Sequence, residues 1–192
     1  MRLARTLKSY SSSPALLDGM RRRRLFWLGA TFSLIVLVVF ALGRSGLRHL
    51  LAEGVQLRFD TVQHLPVERA ATARAGVGPP LFLDVRSRAE YLAGHIRGAQ
   101  WIEPTTNPST ALSELPKNRP IVAYCSVGWR SSRLAERLQA AGFSQVANLK
   151  GGLFEWTARG YEVVREGQLT NQIHPYGWPW SLLLADTQRA PP

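Results

Sequence analysis

The sequence has one cysteine, Cys125, in 192 residues. That excludes an internal disulfide framework and any cysteine-rich zinc or iron–sulfur site. Histidine is scarce as well: His49, His64, His95 and His174 are scattered, and no spacing gathers two of them on one face. No metal and no cofactor is implied. Acids are almost missing from one end. Residues 1–48 hold nine Lys and Arg against the single acid Asp18, a balance of +8, whereas 49–192 hold fifteen against twelve, a balance of +3. Most of the formal charge of +11 therefore sits beside the most apolar stretch of the chain, the pattern of a membrane-flanking segment. A basic patch interleaved with aromatics is also missing, so no nucleic-acid partner is expected. No internal repeat is visible.

Charge is missing altogether from residues 25–43, LFWLGATFSLIVLVVFALG, nineteen in number. As a helix rising about 1.5 Å per residue this run is about 28 Å long, close to the hydrocarbon thickness of a bilayer. Arg2, Arg5, Lys8 and the run from Arg21 to Arg24 put seven cations before it, and residues 44–63 add only Arg44, Arg48 and Arg58. The positive-inside rule then predicts a single-pass anchor in a lipid bilayer, with the N-terminus cytoplasmic and the folded domain on the far side, periplasmic, lumenal or extracellular. A cleaved export signal is the alternative. Its apolar core would be longer than the usual ~7–15 residues, and Ala41-Leu42-Gly43 is the nearest approach to a cleavage site. Met20, just before the arginine run, is an alternative start. A buried core helix this apolar belongs to a much larger protein.

The organisation expected is a basic tail (1–24), a transmembrane helix (25–43), a juxtamembrane connector (44–60), one domain (61–165) and a Trp/Pro-rich tail (166–192). In the connector, Leu47, Leu50, Leu51 and Val55 recur at helical spacing and predict a brief amphipathic helix. The domain alternates strand and helix signals. Strands are expected at 62–64, 81–85, 100–102, 121–124 and 146–149, and helices near 65–75, 87–93, 109–115, 131–141 and 153–158. Apolar strands alternating with short helices predict an α/β fold, a parallel sheet covered on both faces. The tail's prolines and tryptophans forbid a long regular helix, leaving it to pack across the domain or dock at a membrane interface.

In a parallel α/β sheet, sites form where strands end and helices begin. The segment IVAY-CSVGWR-SSRLAERL has that shape, with Cys125 at the turn. Between Cys125 and Arg130 lie Ser126, Val127, Gly128 and Trp129, a C-x4-R loop. Gly128 permits a tight curve in which successive N–H groups point inward, and the following helix aims its positive end at the same spot. Cysteines so placed favour the thiolate, the nucleophilic form. A buried, inert thiol is the plainer reading.

Four ordered motifs carry a resemblance. Residues 81–102, LFLDVRSRAEYLAGHIRGAQWI, hold Asp84-Val85-Arg86, an acid at Glu90, and Gly94-His95-Ile96 before Gly98-Ala99. CSVGWRS from Cys125 to Ser131 and Lys150-Gly151-Gly152 with Trp156 complete the set. Over about residues 61–165 the chain resembles rhodanese-like sulfurtransferase domains. The resemblance implies a five-stranded parallel sheet flanked by helices. It also implies a mechanism in which the Cys125 thiolate takes sulfane sulfur from a small donor such as thiosulfate and passes it from a persulfide to a thiol acceptor. Ser126 to Arg130 would hold the persulfide, with Arg130 attracting an anionic donor. Asp84, Arg86 and Ser131 would support the loop. Asp84 is expected to accept N–H bonds, Arg86 to pair with Glu90, and His95 and Trp156 to pack. Two other functions stay open. Cysteine phosphatases and arsenate reductases share the fold but use a C-x5-R loop preceded by histidine, where this chain has Tyr124. Non-catalytic rhodanese-like modules serve as membrane-bound binding or regulatory domains, usually with the cysteine lost.

Overall fold

The computed structural model describes residues 14–191. Helix α1 (Pro14–Arg58) is broken at Gly43, whose φ of 57° and ψ of −169° are not helical. The chain divides there into two compact units, Met1–Gly43 and Arg44–Pro192. In the first, residues 14–42 are helical, and Leu25, Phe26, Trp27, Leu28 and Phe32 are 65–69% exposed. Among the described residues no helix is long and apolar enough to cross a membrane. The side chains of residues 35, 36, 39 and 40, within the apolar run, lie outside the described set, so the expected transmembrane helix falls partly outside it. The expected basic tail also lies mostly outside it.

The second unit is built on a parallel sheet. Its elements are β1 (Gln63–Leu65), α2 (Val67–Ala75), β2 (Leu81–Asp84), α3 (Arg88–Ala93), β3 (Gln100–Trp101), α4 (Pro108–Ala111), β4 (Ile121–Tyr124), α5 (Trp129–Ala140), β5 (Val146–Leu149) and α6 (Gly152–Ala158). All pairings are parallel, in the order β1-β5-β4-β2-β3. β4 lies at the centre, and register pairs Asp84 with Tyr124 and Ala123 with Asn148.

Burial on both faces explains why the inner strands β2, β4 and β5 read as largely apolar runs rather than alternating ones, whereas the edge strands β1 and β3 are partly exposed. Along β4, Ile121, Ala123 and then Cys125 enter a core shared with Leu134, Ala135 and Leu138 of α5, while Val122 and Tyr124 enter a second core with Phe154 and Trp156 of α6. The period-2 alternation of a strand therefore aims Cys125 at the α5 side. Capping sets α3: Ser87 accepts the Glu90 N–H, and Glu90 in turn accepts the Ser87 N–H, satisfying two otherwise orphaned donors.

The segments flanking the domain are part of the same unit. Residues 44–58 are helical, and Ala52 and Val55 with nearby Phe59 are buried, with Leu47 and Leu51 packed against the core. Leu50, expected on the apolar stripe, is 53% exposed instead, because the buried face follows 47, 51, 52 and 55. The helix expected over 109–115 is a single turn, α4, closed where Leu112 caps onto Pro108. After α6 an antiparallel hairpin of β6 (Val163–Arg165) and β7 (Gln168–Thr170) forms around Glu166 and Gly167, both at positive φ. The tail then packs back, burying Ile173, Leu183, Leu184 and Ala190.

Candidate active site

Cys125 follows β4 directly and is 1% exposed. The loop after it curls because Gly128 takes a φ of 101°, open to glycine but strained for other residues. That curl turns the Gly128 N–H back onto the Cys125 sulfur, with N to Sγ at 3.2 Å. Gly128 also lies against Asn148: a methyl group there would come within 3.2 Å of the Asn148 side-chain nitrogen.

Two neighbouring elements clamp the loop. The first is the start of α6, where the N–H groups of Leu153 and Phe154 donate to the carbonyls of Cys125 and Ser126 at 2.8 and 3.0 Å. Gly152 makes that approach possible, since a Cβ there would stand 2.5 Å from the Cys125 carbonyl oxygen. The Lys150-Gly151-Gly152 motif is therefore the loop's anchor. The second clamp is Glu90. It receives Arg130 through both terminal guanidinium nitrogens, at 2.8 and 2.9 Å, and the Ser126 hydroxyl at 3.1 Å. Burial alone would raise the Glu90 carboxyl. Hydrogen bonds and charge from Arg130, with the Ser87 contacts, outweigh it and hold the carboxyl at about 2.

The Glu90 clamp changes two expectations. Arg86 does not pair with Glu90. It lies fully buried against Asp84, at 2.7 Å, and donates as well to the Gly94 carbonyl. Its own N–H donates to Asp84, the bond expected of that carboxylate. Two residues apart after a strand end, Asp84 and Arg86 meet more directly than Arg86 and Glu90 do. Arg130, expected to attract an anionic donor, has its charge balanced by Glu90, and the Tyr176 ring lies 4.8 Å from its guanidinium carbon.

Ser131 and Asn148 were brought together by the fold rather than by any spacing. The Ser131 hydroxyl donates to the Asn148 carbonyl at 2.6 Å, Asn148 donates to His64 Nδ1 at 3.1 Å, and His64 Nε2 reaches the Phe59 carbonyl at 3.0 Å. Sequence reading missed Asn148, His64 and the loop contacts of Tyr176, since strand β5, β1 and the tail meet the loop only in three dimensions. His95 stacks on Tyr91 with centroids 3.8 Å apart and pairs its backbone with Val164, a packing role. Trp156 is buried and donates to the Glu162 carbonyl.

A cleft of about 290 Å³ opens above the sulfur. Cys125 lies in its lining, with Val127, Trp129 and Arg130 from the loop. Trp129 is 45% exposed and rests edge-on against Phe59. The arrangement supplies a nucleophile-bearing turn, an inward N–H and a sheltered approach. Among the described residues no cluster of His, Cys, Asp and Glu is fit to hold a metal.

Residues 69–159 match the family model for rhodanese-like domains. The chain is 32% identical over 103 residues to a sulfurtransferase of Allochromatium vinosum, covering 54% of this chain and 95% of that protein. It is 39% identical over 75 residues to a probable adenylyltransferase/sulfurtransferase of Mycobacterium tuberculosis, but spans only 19% of that protein's length. A crystal structure of a Bacillus halodurans protein, BH2092, superposes with a TM-score of 0.51 at 22% identity over 56% of this chain and 80% of that one, a likeness of fold alone.

Proposed function

Since the chain belongs to the rhodanese-like domain family, we propose that it is a sulfurtransferase that carries sulfane sulfur on Cys125. The single observation that carries this reading is the lone cysteine at a strand–helix turn, with the Gly128 N–H on its sulfur and a cleft in front of it. In the first half-reaction the Cys125 thiolate attacks the outer sulfur of a donor such as thiosulfate. The donor's S–S bond breaks, sulfite leaves with the electron pair, and Cys125 becomes a persulfide. In the second, a thiolate acceptor attacks the terminal sulfur, and the Cys125 thiolate is released. Neither half needs a cofactor or a second cysteine. The Gly128 N–H would steady sulfur charge, and Ser126, Val127, Trp129 and Arg130 would shape the loop around it. Asp84, Arg86 and Ser131 would support it from behind.

Steady-state kinetics test the reading. Thiosulfate and a thiol acceptor varied together should give parallel double-reciprocal lines, the mark of a substituted-enzyme cycle. Intersecting lines would require a ternary complex and overturn it. The same preparation should not turn over aryl phosphates, because the C-x4-R loop is one residue shorter than the C-x5-R ring of the cysteine phosphatases. Retention of the cysteine and the open cleft count against a purely binding or regulatory module.

We propose also that residues 25–43 anchor the protein in a bilayer with the N-terminus cytoplasmic and the domain on the far side. Support comes from the uncharged run, the cation imbalance around it and the large apolar side chains that the helix leaves exposed, a surface water would not tolerate. The full-length chain should stay with membranes through alkaline carbonate extraction, and externally added protease should reach the domain while the N-terminal arginines stay protected. Release by carbonate, or a mature N-terminus near residue 44, would contradict the anchor.

A further inference from the structure

The family model accounts for residues 69–159, yet half of the lining of the catalytic cleft comes from outside that range. Leu51 and Val55 stand on the helix before it, and Tyr176 and Trp180 on the tail after it. Both flanking segments are packed onto the cores of the domain, so these walls are fixed parts of the site. Their chemistry is consistent: two aliphatic and two aromatic side chains face the apolar Val127 and the Trp129 ring.

Among the described residues, Arg130 is the only cationic side chain in the lining, and it is already engaged. Glu90 holds it through two hydrogen bonds, and Tyr176 covers a face of its guanidinium at 4.8 Å. Tyr176 does so at a φ of 62°, a left-handed conformation uncommon for a bulky residue. Backbone strain of this kind persists where surrounding structure over-determines it, and it concentrates at ligand sites. Here the Tyr176 N–H donates to His174 Nδ1 at 3.0 Å, which holds the turn.

A small inorganic dianion gains little in such a cleft. It loses water and meets apolar walls and a cation whose charge is balanced. An apolar organic group gains by the same walls. We propose that Leu51, Val55, Tyr176 and Trp180 form a specificity subsite for the organic part of the sulfur donor, so that this site prefers organic sulfane-sulfur compounds with an apolar or aromatic body over thiosulfate. The inference rests on the persulfide reading above. Written for an organic thiosulfonate, the Cys125 thiolate attacks the terminal sulfur of R–SO₂–S⁻, the S–S bond breaks, and the sulfinate R–SO₂⁻ leaves with the electron pair. The products are the Cys125 persulfide anion and the sulfinate, and charge is conserved. The volume of about 290 Å³ lies at the small end of ligand pockets, which run from ~300 to 1,000 Å³, and so admits one small organic group.

The matched probes are thiosulfate and benzenethiosulfonate, which present the same reacting sulfur and differ in an oxyanion against a phenyl ring. Full-length protein in detergent should show kcat/KM for benzenethiosulfonate at least about tenfold above that for thiosulfate, the scale set by filling an apolar pocket. Tyr176→Ala opens the guanidinium and removes an aromatic wall, so it should lower the ratio at least about fivefold, partly by raising the thiosulfate value. Tyr176 is 44% exposed, so its removal leaves the cores intact, and a gain with thiosulfate cannot come from unfolding. Leu51→Ala should lower the ratio through the benzenethiosulfonate KM. A wild-type ratio near or below one, or a ratio unmoved by both variants, overturns the subsite while leaving the persulfide reading in place. If neither donor loads Cys125, the persulfide reading falls and this inference falls with it.

Discussion

Cys125→Ser is expected to lower sulfur transfer by at least about a thousandfold, the scale seen when a covalent nucleophile is removed, while the protein stays folded. Serine is nearly isosteric, and the Gly128 N–H that meets the sulfur at 3.2 Å has an oxygen to meet instead. The loop has further anchors that do not involve the thiol. The Cys125 and Ser126 carbonyls keep their donors from α6, and Arg130 keeps Glu90. What is lost is chemical, because an alkoxide is not formed near neutral pH and a hydroxyl cannot store sulfane sulfur. Transfer rates and thermal melting of the same preparation check this together. A loss of activity that tracks a loss of melting temperature would point to structure rather than to the nucleophile.

Glu90→Gln is expected to cost roughly 3 kcal/mol of stability at neutral pH, from the displacement of its carboxyl to about 2 from the usual 4.5. The direction with pH follows from the sign of that displacement. The folded carboxyl sits below its unfolded value, so its contribution is fully present above about 4.5 and is lost as pH falls toward 2. Denaturant titrations should therefore show wild type and Glu90→Gln farthest apart at neutral pH and converging as pH falls through that window. Glu53 and Glu155 are also held low by cationic partners, and taking the difference between the two proteins removes their shared contribution. The variant should lose transfer activity as well, because Arg130 and the Ser126 hydroxyl both lose their common anchor. A constant difference from pH 7 to 2 would show that Glu90 is not the titrating group.

The inner strands β2, β4 and β5 were legible because each is buried on both faces and so forms a short, largely apolar run, whereas the edge strands β1 and β3 are partly exposed and carry a weaker signal. LFLD, IVAY and VANL end within one residue of where the runs do. The loop was legible because its chemistry is local: one cysteine, one glycine, one arginine, then a helix. The β6–β7 hairpin was not, since its turn is Glu166-Gly167 rather than the usual Asn-Gly or Asp-Gly. Arg86 was matched with the wrong carboxylate, because two candidates stand close in sequence and only the fold sends Glu90 toward Arg130. Asn148 and His64, 84 residues apart, are joined only by the β1–β5 pairing. The cleft walls at Leu51 and Trp180 are likewise long-range, since no period or spacing ties a helix before the domain to a tail after it.

The mass of the sulfur-loaded protein tests the central claim most directly. Incubation with a sulfane-sulfur donor and removal of excess reagent should add about 32 Da, one sulfur atom, to the intact chain. Peptide mapping should place it on Cys125, and one equivalent of a thiol acceptor should discharge it. Sulfur transfer at the full rate with no mass added to Cys125, or retained in Cys125→Ser, would contradict the account.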